Sequence, residues 1–147
     1  MISGIDHVQV AAPPGCEAAA TEFYGGLLGM ARVAKPEPLA ERGGCWFRAG
    51  AHELHVGVEQ HFVPAGTAHP ALAVESPERL HELADALTAA GHSLRWDEAL
   101  GGVERFFVRD PFGNRLELVA RSHPGQLPRV EELRPMAEEQ GRSWPEG

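Results

Sequence analysis

Alternating apolar and polar residues predict a strand at Ile5–Val10, which the segment Ala11-Ala12-Pro13-Pro14-Gly15 ends. A helical spacing of apolar residues follows from Cys16 to about Leu28, and Gly29 is a natural stop. Three short strand patterns complete this half of the chain, at Val33–Leu39, Gly44–Arg48 and Glu53–Glu59. Proline interrupts the first of them, which is therefore either a strand or a loop.

The second half of the chain repeats this order of elements. A strand pattern begins at His69, and Ser76-Pro77-Glu78 opens a helix as an N-cap followed by proline, with Gly91 at its end. Strand patterns follow at Ser93–Trp96, Arg105–Arg109 and Arg115–Val119.

The two halves align at one constant separation, which indicates an internal duplication. His7, Gly29 and His55 lie 62 positions before His69, Gly91 and Glu117. A lone strand–helix–three-strand unit cannot cover both faces of its sheet, so two units must pair. We therefore expect one α+β domain at residues 1–121, with module 1 at about 4–59 and module 2 at about 67–121. Residues 122–147 form a C-terminal extension rich in proline and charge.

Period-two alternation places the aliphatic residues of each strand on one face and the duplicated polar residues on the other. The polar face carries His7, Gln9, His55, His69 and Glu117. Two imidazoles and a carboxylate from different strands suit a divalent ion such as Fe, Mn, Zn, Ni or Co, with open positions for substrate oxygens. His7, His69 and Glu117 are the predicted metal ligands. His55 is the predicted catalytic residue, with a fourth ligand, a neighbour of a ligand or a structural residue as open alternatives.

Candidate substrate-binding residues come from the penultimate strand of each module. Arg105, Phe107 and Arg109 alternate on one face of their strand, and the repeat places Cys45 and Phe47 at corresponding positions. On the polar face, an arginine could bind a carboxylate or phosphate of the substrate. The alternatives are a solvated edge strand and, for Cys45, a small buried apolar side chain.

Composition restricts the class of partner. With 21 acidic and 13 basic side chains and a formal net charge of -8, the surface would repel nucleic acid and anionic membranes. No apolar run reaches the roughly 20 residues of a membrane span, and the first residues do not resemble a signal peptide. Two cysteines are too few for a disulfide framework. We expect a cytoplasmic protein that binds a small molecule.

Four segments resemble the vicinal oxygen chelate superfamily, which includes glyoxalases, bleomycin resistance proteins and extradiol dioxygenases. They are Ile5–Val8, Phe23–Met30, Ala68–Val74 and Phe107–Leu118, the last with the turn sequence Asp110-Pro111-Phe112-Gly113-Asn114. The resemblance implies paired βαβββ modules whose mixed sheet forms a cupped, barrel-like cleft with helices outside. It also implies metal ligands on the first and last strands of each module, which here are His7, His55, His69 and Glu117. Because members often pair modules between chains, it implies a homodimer.

The resemblance leaves several functions open. The leading hypothesis is a metal-dependent enzyme of isomerase, lyase or dioxygenase type acting on a small oxygenated substrate. The alternatives are an antibiotic-binding protein of the bleomycin resistance type, a fosfomycin-type thiol transferase and a regulatory module. His55 stands where glyoxalase I has a glutamate, and Phe107 stands where fosfomycin enzymes have a tyrosine. None of the named reactions is therefore a full match.

Overall fold

The computed structural model describes residues 1–99 and 101–122. The predicted order of strands and helices is found, with a π-helix and an additional short helix in module 1. The strands are β1 (His7–Ala12), β2 (Arg32–Val33), β3 (Cys45–Ala49), β4 (His52–Val58), β5 (Ala71–Ala73), β6 (Arg95–Trp96), β7 (Val103–Arg109) and β8 (Arg115–Arg121). The helices are α1 (Glu17–Ala20), continued by a π-helix (Thr21–Leu27), α2 (Glu37–Ala40) and α3 (Pro77–Ala89).

Local sequence accounts for the main helix boundaries. Ser76 Oγ accepts a hydrogen bond from the Arg79 backbone N–H at 3.3 Å, and Pro77 occupies the first turn of α3, as predicted. Gly29 and Gly91 follow the two long helices with φ of +68° and +89°, the left-handed conformation that glycine tolerates.

The eight strands form two four-stranded mixed sheets, in the orders β1-β4-β3-β2 and β5-β8-β7-β6. In each sheet the first strand of a module pairs in parallel with the last, and the remaining pairs are antiparallel. This topology confirms the α+β class and the two βαβββ modules. Within one chain, however, the described strands do not form a single cupped sheet or a closed barrel.

The aliphatic faces of both sheets and the helices share one hydrophobic core. Leu54 and Val56 of β4 belong to the same buried cluster as Leu116 and Leu118 of β8. The helices contribute Phe23, Tyr24, Leu80, Ala84 and Leu87 to this cluster. The helices therefore cover the aliphatic faces of the sheets and lie outside the polar faces, as expected, and both sheets direct their aliphatic faces toward a common interior. Their polar faces consequently point away from that interior and away from each other.

A buried polar network joins the two modules. Tyr24 Oη donates to Asp110 Oδ2 at 2.7 Å, and Asn114 Nδ2 donates to the Ala11 carbonyl at 2.7 Å. Asp110 Oδ1 also accepts the backbone N–H groups of Phe112 and Asn114 at 2.9 and 2.8 Å. The Asp110–Asn114 turn thus fixes the position of module 2 against the first strand and helix of module 1.

None of the helices in the described ranges combines the length and apolar character needed to cross a membrane. Of the proposed C-terminal extension at 122–147, residues 123–147 lie outside the described residues.

Candidate metal and substrate site

His69 and Glu117 form a close pair on the polar face of module 2. The distance between His69 Nε2 and Glu117 Oε2 is 3.1 Å, and Glu117 is 8% exposed. His69 Nδ1 lies 2.7 Å from the Thr67 carbonyl, which can only accept, so this nitrogen carries a proton. A lone pair on Nε2 would then face a carboxylate oxygen, and the two repel each other unless a proton or a metal cation lies between them.

Arg105 orients the second oxygen of Glu117. Its Nη1 donates to Glu117 Oε1 at 3.1 Å, and its Nη2 donates to Asp97 Oδ2 at 3.1 Å. The Ala99 backbone N–H, together with Arg105, lowers the pKa of the Asp97 carboxyl below its usual value. This arrangement leaves Glu117 Oε2 directed toward His69 and places Oε1 against a guanidinium group.

His7 and His55 form a second pair on the polar face of module 1. Their rings are stacked with centroids 4.3 Å apart, and Trp46 stacks on the other side of His55 at 3.9 Å and 3° between planes. His55 Nε2 lies 3.0 Å from Glu53 Oε2, and His55 is 6% exposed. His7 Nδ1 lies 2.8 Å from Asp6 Oδ1, and this hydrogen bond lowers the pKa of the Asp6 carboxyl.

The four duplicated residues are brought together in pairs and not as one group. Within residues 1–99 and 101–122, no set of three or more His, Cys, Asp or Glu side chains is positioned to hold one ion. The reason is the shared core, since the sheet of His7 and His55 and the sheet of His69 and Glu117 present their polar faces in different directions. A single chain therefore presents these four side chains as two separate pairs.

Most of the predicted substrate-binding residues lie on the polar faces. Gln9 is opposite His55 in the β1–β4 register, and Phe107 is opposite Glu117 in the β7–β8 register. The Phe107 ring contacts His69 edge-on with centroids 5.4 Å apart. Arg105 and Arg109 share the Phe107 face of β7, although Arg109 Nη1 donates to the Gly113 carbonyl at 2.7 Å.

Cys45 and Phe47 are placed differently from the prediction. They are opposite Val56 and Leu54 in the β3–β4 register and are 1% and 0% exposed in the core. The expected polar-face position is therefore wrong for both residues. Burial also raises the pKa of the Cys45 thiol, as expected for a small core residue.

The sequence patterns missed several residues of the two polar faces. Trp46 and Glu53 accompany His55, while Arg95 and Arg115 lie beside Phe107. Glu53 and Arg115 have the same strand parity as His55 and Glu117, which was a usable signal. Trp46 and Arg95 required the register between strands, which the sequence pattern does not provide.

Two βαβββ modules with histidine and carboxylate side chains on polar sheet faces define a protein of the glyoxalase fold class. The chain belongs to the Glyoxalase/Bleomycin resistance protein/Dioxygenase superfamily, whose family model matches residues 4–118. Comparison with curated proteins gives no match.

Solved structures of this class resemble the chain over most of its length. A glyoxalase family protein from Bacillus anthracis is 50% identical, with a TM-score of 0.78 over 83% of this chain and 98% of that one. Lactoylglutathione lyase from Agrobacterium tumefaciens is 19% identical, with a TM-score of 0.63 over 81% and 94% of the two chains. A mutant of the fosfomycin resistance protein FosX from Listeria monocytogenes is 18% identical, with a TM-score of 0.69 over 88% and 100%. The last two comparisons support the fold alone.

Proposed function

We propose that this protein is a metal-dependent enzyme that binds a small oxygenated substrate at a divalent cation, in a site shared by two chains. His69 and Glu117 of one subunit and His7 of the partner subunit would hold the ion. The single observation that carries the proposal is the 3.1 Å approach of His69 Nε2 to Glu117 Oε2 with His69 Nδ1 already engaged by Thr67.

The donor set fits a divalent transition-metal ion. Two ligand atoms that are each about 2.1 Å from one ion, at right angles to each other, are about 3 Å apart. The Thr67 carbonyl orients His69, Arg105 orients Glu117, and Asp6 occupies Nδ1 of His7, so each of these side chains has one atom left for an ion. Mn, Fe, Co, Ni and Zn all suit imidazole and carboxylate ligands. The FosX mutant, which shares the fold, was crystallised in complex with Mn(II) and 1S,2S-dihydroxypropylphosphonic acid.

A homodimer would bring the two separate pairs together. The polar faces of the two modules cannot face each other across the core that they share, so the complement of each must come from another chain. In the described residues, β1 pairs only with β4 and β5 only with β8. Each of these strands therefore has one edge left to pair with a second copy.

The chemistry assigned to the shared site is proton transfer, as in an isomerase or lyase. A divalent cation would supply Lewis-acid polarisation of the substrate oxygens. His55 would accept and return a proton as the general acid–base group of the site. Glu53 is hydrogen-bonded to His55 Nε2, and the Trp46 ring covers one face of its imidazole. Both contacts hold His55 in one orientation, and we assign the proton exchange to its Nδ1.

Metal content and oligomeric state together test this proposal. The full chain would be stripped with a chelator, loaded separately with Mn, Fe, Co, Ni or Zn and measured by elemental analysis and multi-angle light scattering. We expect about one ion per chain in a dimer. His69→Ala and Glu117→Gln should lose the ion. His81→Ala is the matched control, because His81 and Glu104 form an exposed pair at 2.8 Å on the same module.

Three results would contradict the proposal. A protein that binds none of these metals would instead be a binding or regulatory module of the superfamily. A monomer holding one ion per chain would exclude the shared site. Equal metal loss in the His81 and His69 variants would show that the effect is not specific to the proposed ligands.

A further inference from the structure

The polar face of module 2 carries a concentration of positive charge that the overall composition does not suggest. The chain has a formal net charge of -8. Nevertheless, the three neighbouring strands β6, β7 and β8 all carry arginines on the face of Glu117 and Phe107. They are Arg95 on β6, Arg105 and Arg109 on β7, and Arg115 and Arg121 on β8. Glu117 and Asp97 pair with Arg105, and the remaining concentration of like charge favours the binding of an anion.

The Phe107 ring is the centre of this cluster. Arg115 Cζ lies 4.0 Å and Arg95 Cζ lies 4.6 Å from its centroid. Phe107 itself is 8% exposed and contacts His69 edge-on at 5.4 Å. A guanidinium group held against an aromatic ring keeps its N–H donors in a fixed plane and free for other partners. The ring therefore connects two positioned cations to the His69–Glu117 pair.

The arginines of the cluster differ in what already engages them. Arg105 is bonded to Asp97 and Glu117, and Arg109 donates to the Gly113 carbonyl. Within residues 1–99 and 101–122, no carboxylate lies within 4.0 Å of the Arg95 or Arg115 guanidinium group, the limit for an ion pair. Neither arginine forms a side-chain hydrogen bond in these ranges. The buried Arg105 Nε also has no hydrogen-bond partner in the described part of the chain. As far as the described residues are concerned, two guanidinium forks thus remain available for a ligand.

A cavity of about 630 Å³ opens at this point of module 2. Its walls include Arg95, Arg109 and Arg115, the Phe107 ring and His92. This volume lies within the range of small-molecule sites, which hold roughly 300 to 1,000 Å³. The described acidic residue in the wall is Asp110, whose carboxylate is already occupied by Tyr24 and Asn114.

We infer that Arg95 and Arg115 bind an oxyanion group of the substrate, a carboxylate, phosphonate or phosphate, beside the metal pair. The inference rests on the proposed function, since it assigns the substrate class of the same site. Each guanidinium fork provides two parallel N–H donors that match the spacing of two oxyanion oxygens. Phe107 contacts both guanidinium groups, and its edge-on contact with His69 links them to the proposed metal pair.

The test uses metal-free full-length protein and inorganic phosphate, methylphosphonate and acetate as separate probes in calorimetric titrations. We expect binding of at least one probe, weakened at least about tenfold by Arg95→Gln or Arg115→Gln. Arg115→Lys keeps the charge without the planar fork and should bind with intermediate affinity. Arg79→Gln is the charge-matched control, because Arg79 is paired with Glu82 on α3. Tighter binding of the phosphorus acids or of acetate would identify which oxyanion the substrate carries.

Arginine labelling gives a second readout that does not depend on a variant folding. Bound phosphate should protect the Arg95 and Arg115 peptides from phenylglyoxal, while the Arg79 peptide should label equally with and without it. Metal content should be unchanged in Arg115→Gln, so a failure of the metal site and a failure of the anion site are distinguishable. Probe binding that persists in the Arg95→Gln/Arg115→Gln double variant, or that requires a metal ion, would overturn the inference.

Discussion

Tyr24 and Asp110, 86 positions apart in the chain, are joined by a buried hydrogen bond of 2.7 Å between Oη and Oδ2. Tyr24 is 0% exposed and Asp110 is 4% exposed. Burial, and next the Asp110 charge, raise the pKa of the Tyr24 phenol far above its usual value, so the phenol remains a donor across the working pH range. Each module therefore stabilises the other through a charged acceptor and a neutral donor.

Replacing Tyr24 with phenylalanine should lower the free energy of unfolding by about 2 kcal/mol, because a buried carboxylate loses one of its donors. Urea unfolding of both proteins at neutral pH would measure the difference. Thr88→Val is the control, since Thr88 donates a neutral hydrogen bond to the Ala84 carbonyl at 2.8 Å and should cost less. Equal stability of the Tyr24→Phe variant and the parent protein would contradict the role assigned to this bond.

Mixing two variants that each fail to bind the metal should restore metal binding if the site is shared between chains. His7→Ala and Glu117→Gln each remove one proposed ligand from every site. In a mixed dimer, one site combines both defects and the other has all its ligands, so random exchange should restore about a quarter of the sites. Elemental analysis after unfolding, mixing and refolding would measure the recovered ion. No recovery while dimers form would place all the ligands of a site in one chain.

The sequence predicted the modules well because duplication and period-two alternation are local signals. Alternation correctly placed Leu54 and Leu116 opposite the polar faces of their strands. The prediction failed for Cys45 and Phe47 because the repeat of 62 positions does not preserve which residues of neighbouring strands are paired. Trp46 pairs with His55 nine positions later, whereas Phe107 pairs with Glu117 ten positions later. Because this spacing is one residue longer in the second hairpin, corresponding residues of β3 and β7 direct their side chains to opposite faces of their sheets.

The arrangement of the modules could not be read from the sequence for a different reason. Aliphatic faces at Leu54 and Leu118 are compatible with one core shared between the sheets or with separate cores under a cupped sheet. The choice depends on contacts between distant segments, such as the Tyr24–Asp110 bond and the Asn114–Ala11 bond. These are individual hydrogen bonds and leave no periodic trace in the chain.

The two cysteines should be inert in the folded protein. Cys16 and Cys45 are 2% and 1% exposed, and burial raises the pKa of both thiols. We expect Ellman's reagent at mildly alkaline pH to react at least about a hundredfold faster in denaturant than in buffer. Ala18→Cys, on the exposed side of α1, supplies a positive control in the folded state. Fast labelling of the folded parent protein would contradict the burial of these side chains.

Glu17 should make stability depend on pH through its hydrogen bond to the Gly44 turn. Glu17 Oε1 accepts the Gly44 backbone N–H at 2.7 Å, and Gly44 has a φ of +77° with no space for a Cβ beside the Val56 carbonyl. This hydrogen bond, first among the causes, lowers the pKa of the Glu17 carboxyl below its usual value of 4.5. A carboxyl whose pKa is lower in the folded than in the unfolded state stabilises the fold above the unfolded value. That contribution is lost as the pH falls through the folded value.

Glu17→Gln should therefore be less stable than the parent protein by about 1 kcal/mol at neutral pH, an amount limited by partial exposure to solvent. The difference should shrink as the pH is lowered below the usual value of 4.5, because the parent carboxylate becomes protonated. Urea unfolding over a series of pH values would measure it. Glu22→Gln, an exposed position on the adjoining π-helix, makes the same charge change and should show a smaller effect. A difference that stays constant with pH, or is matched by the Glu22 variant, would show that the Gly44 contact does not depend on the charge of Glu17.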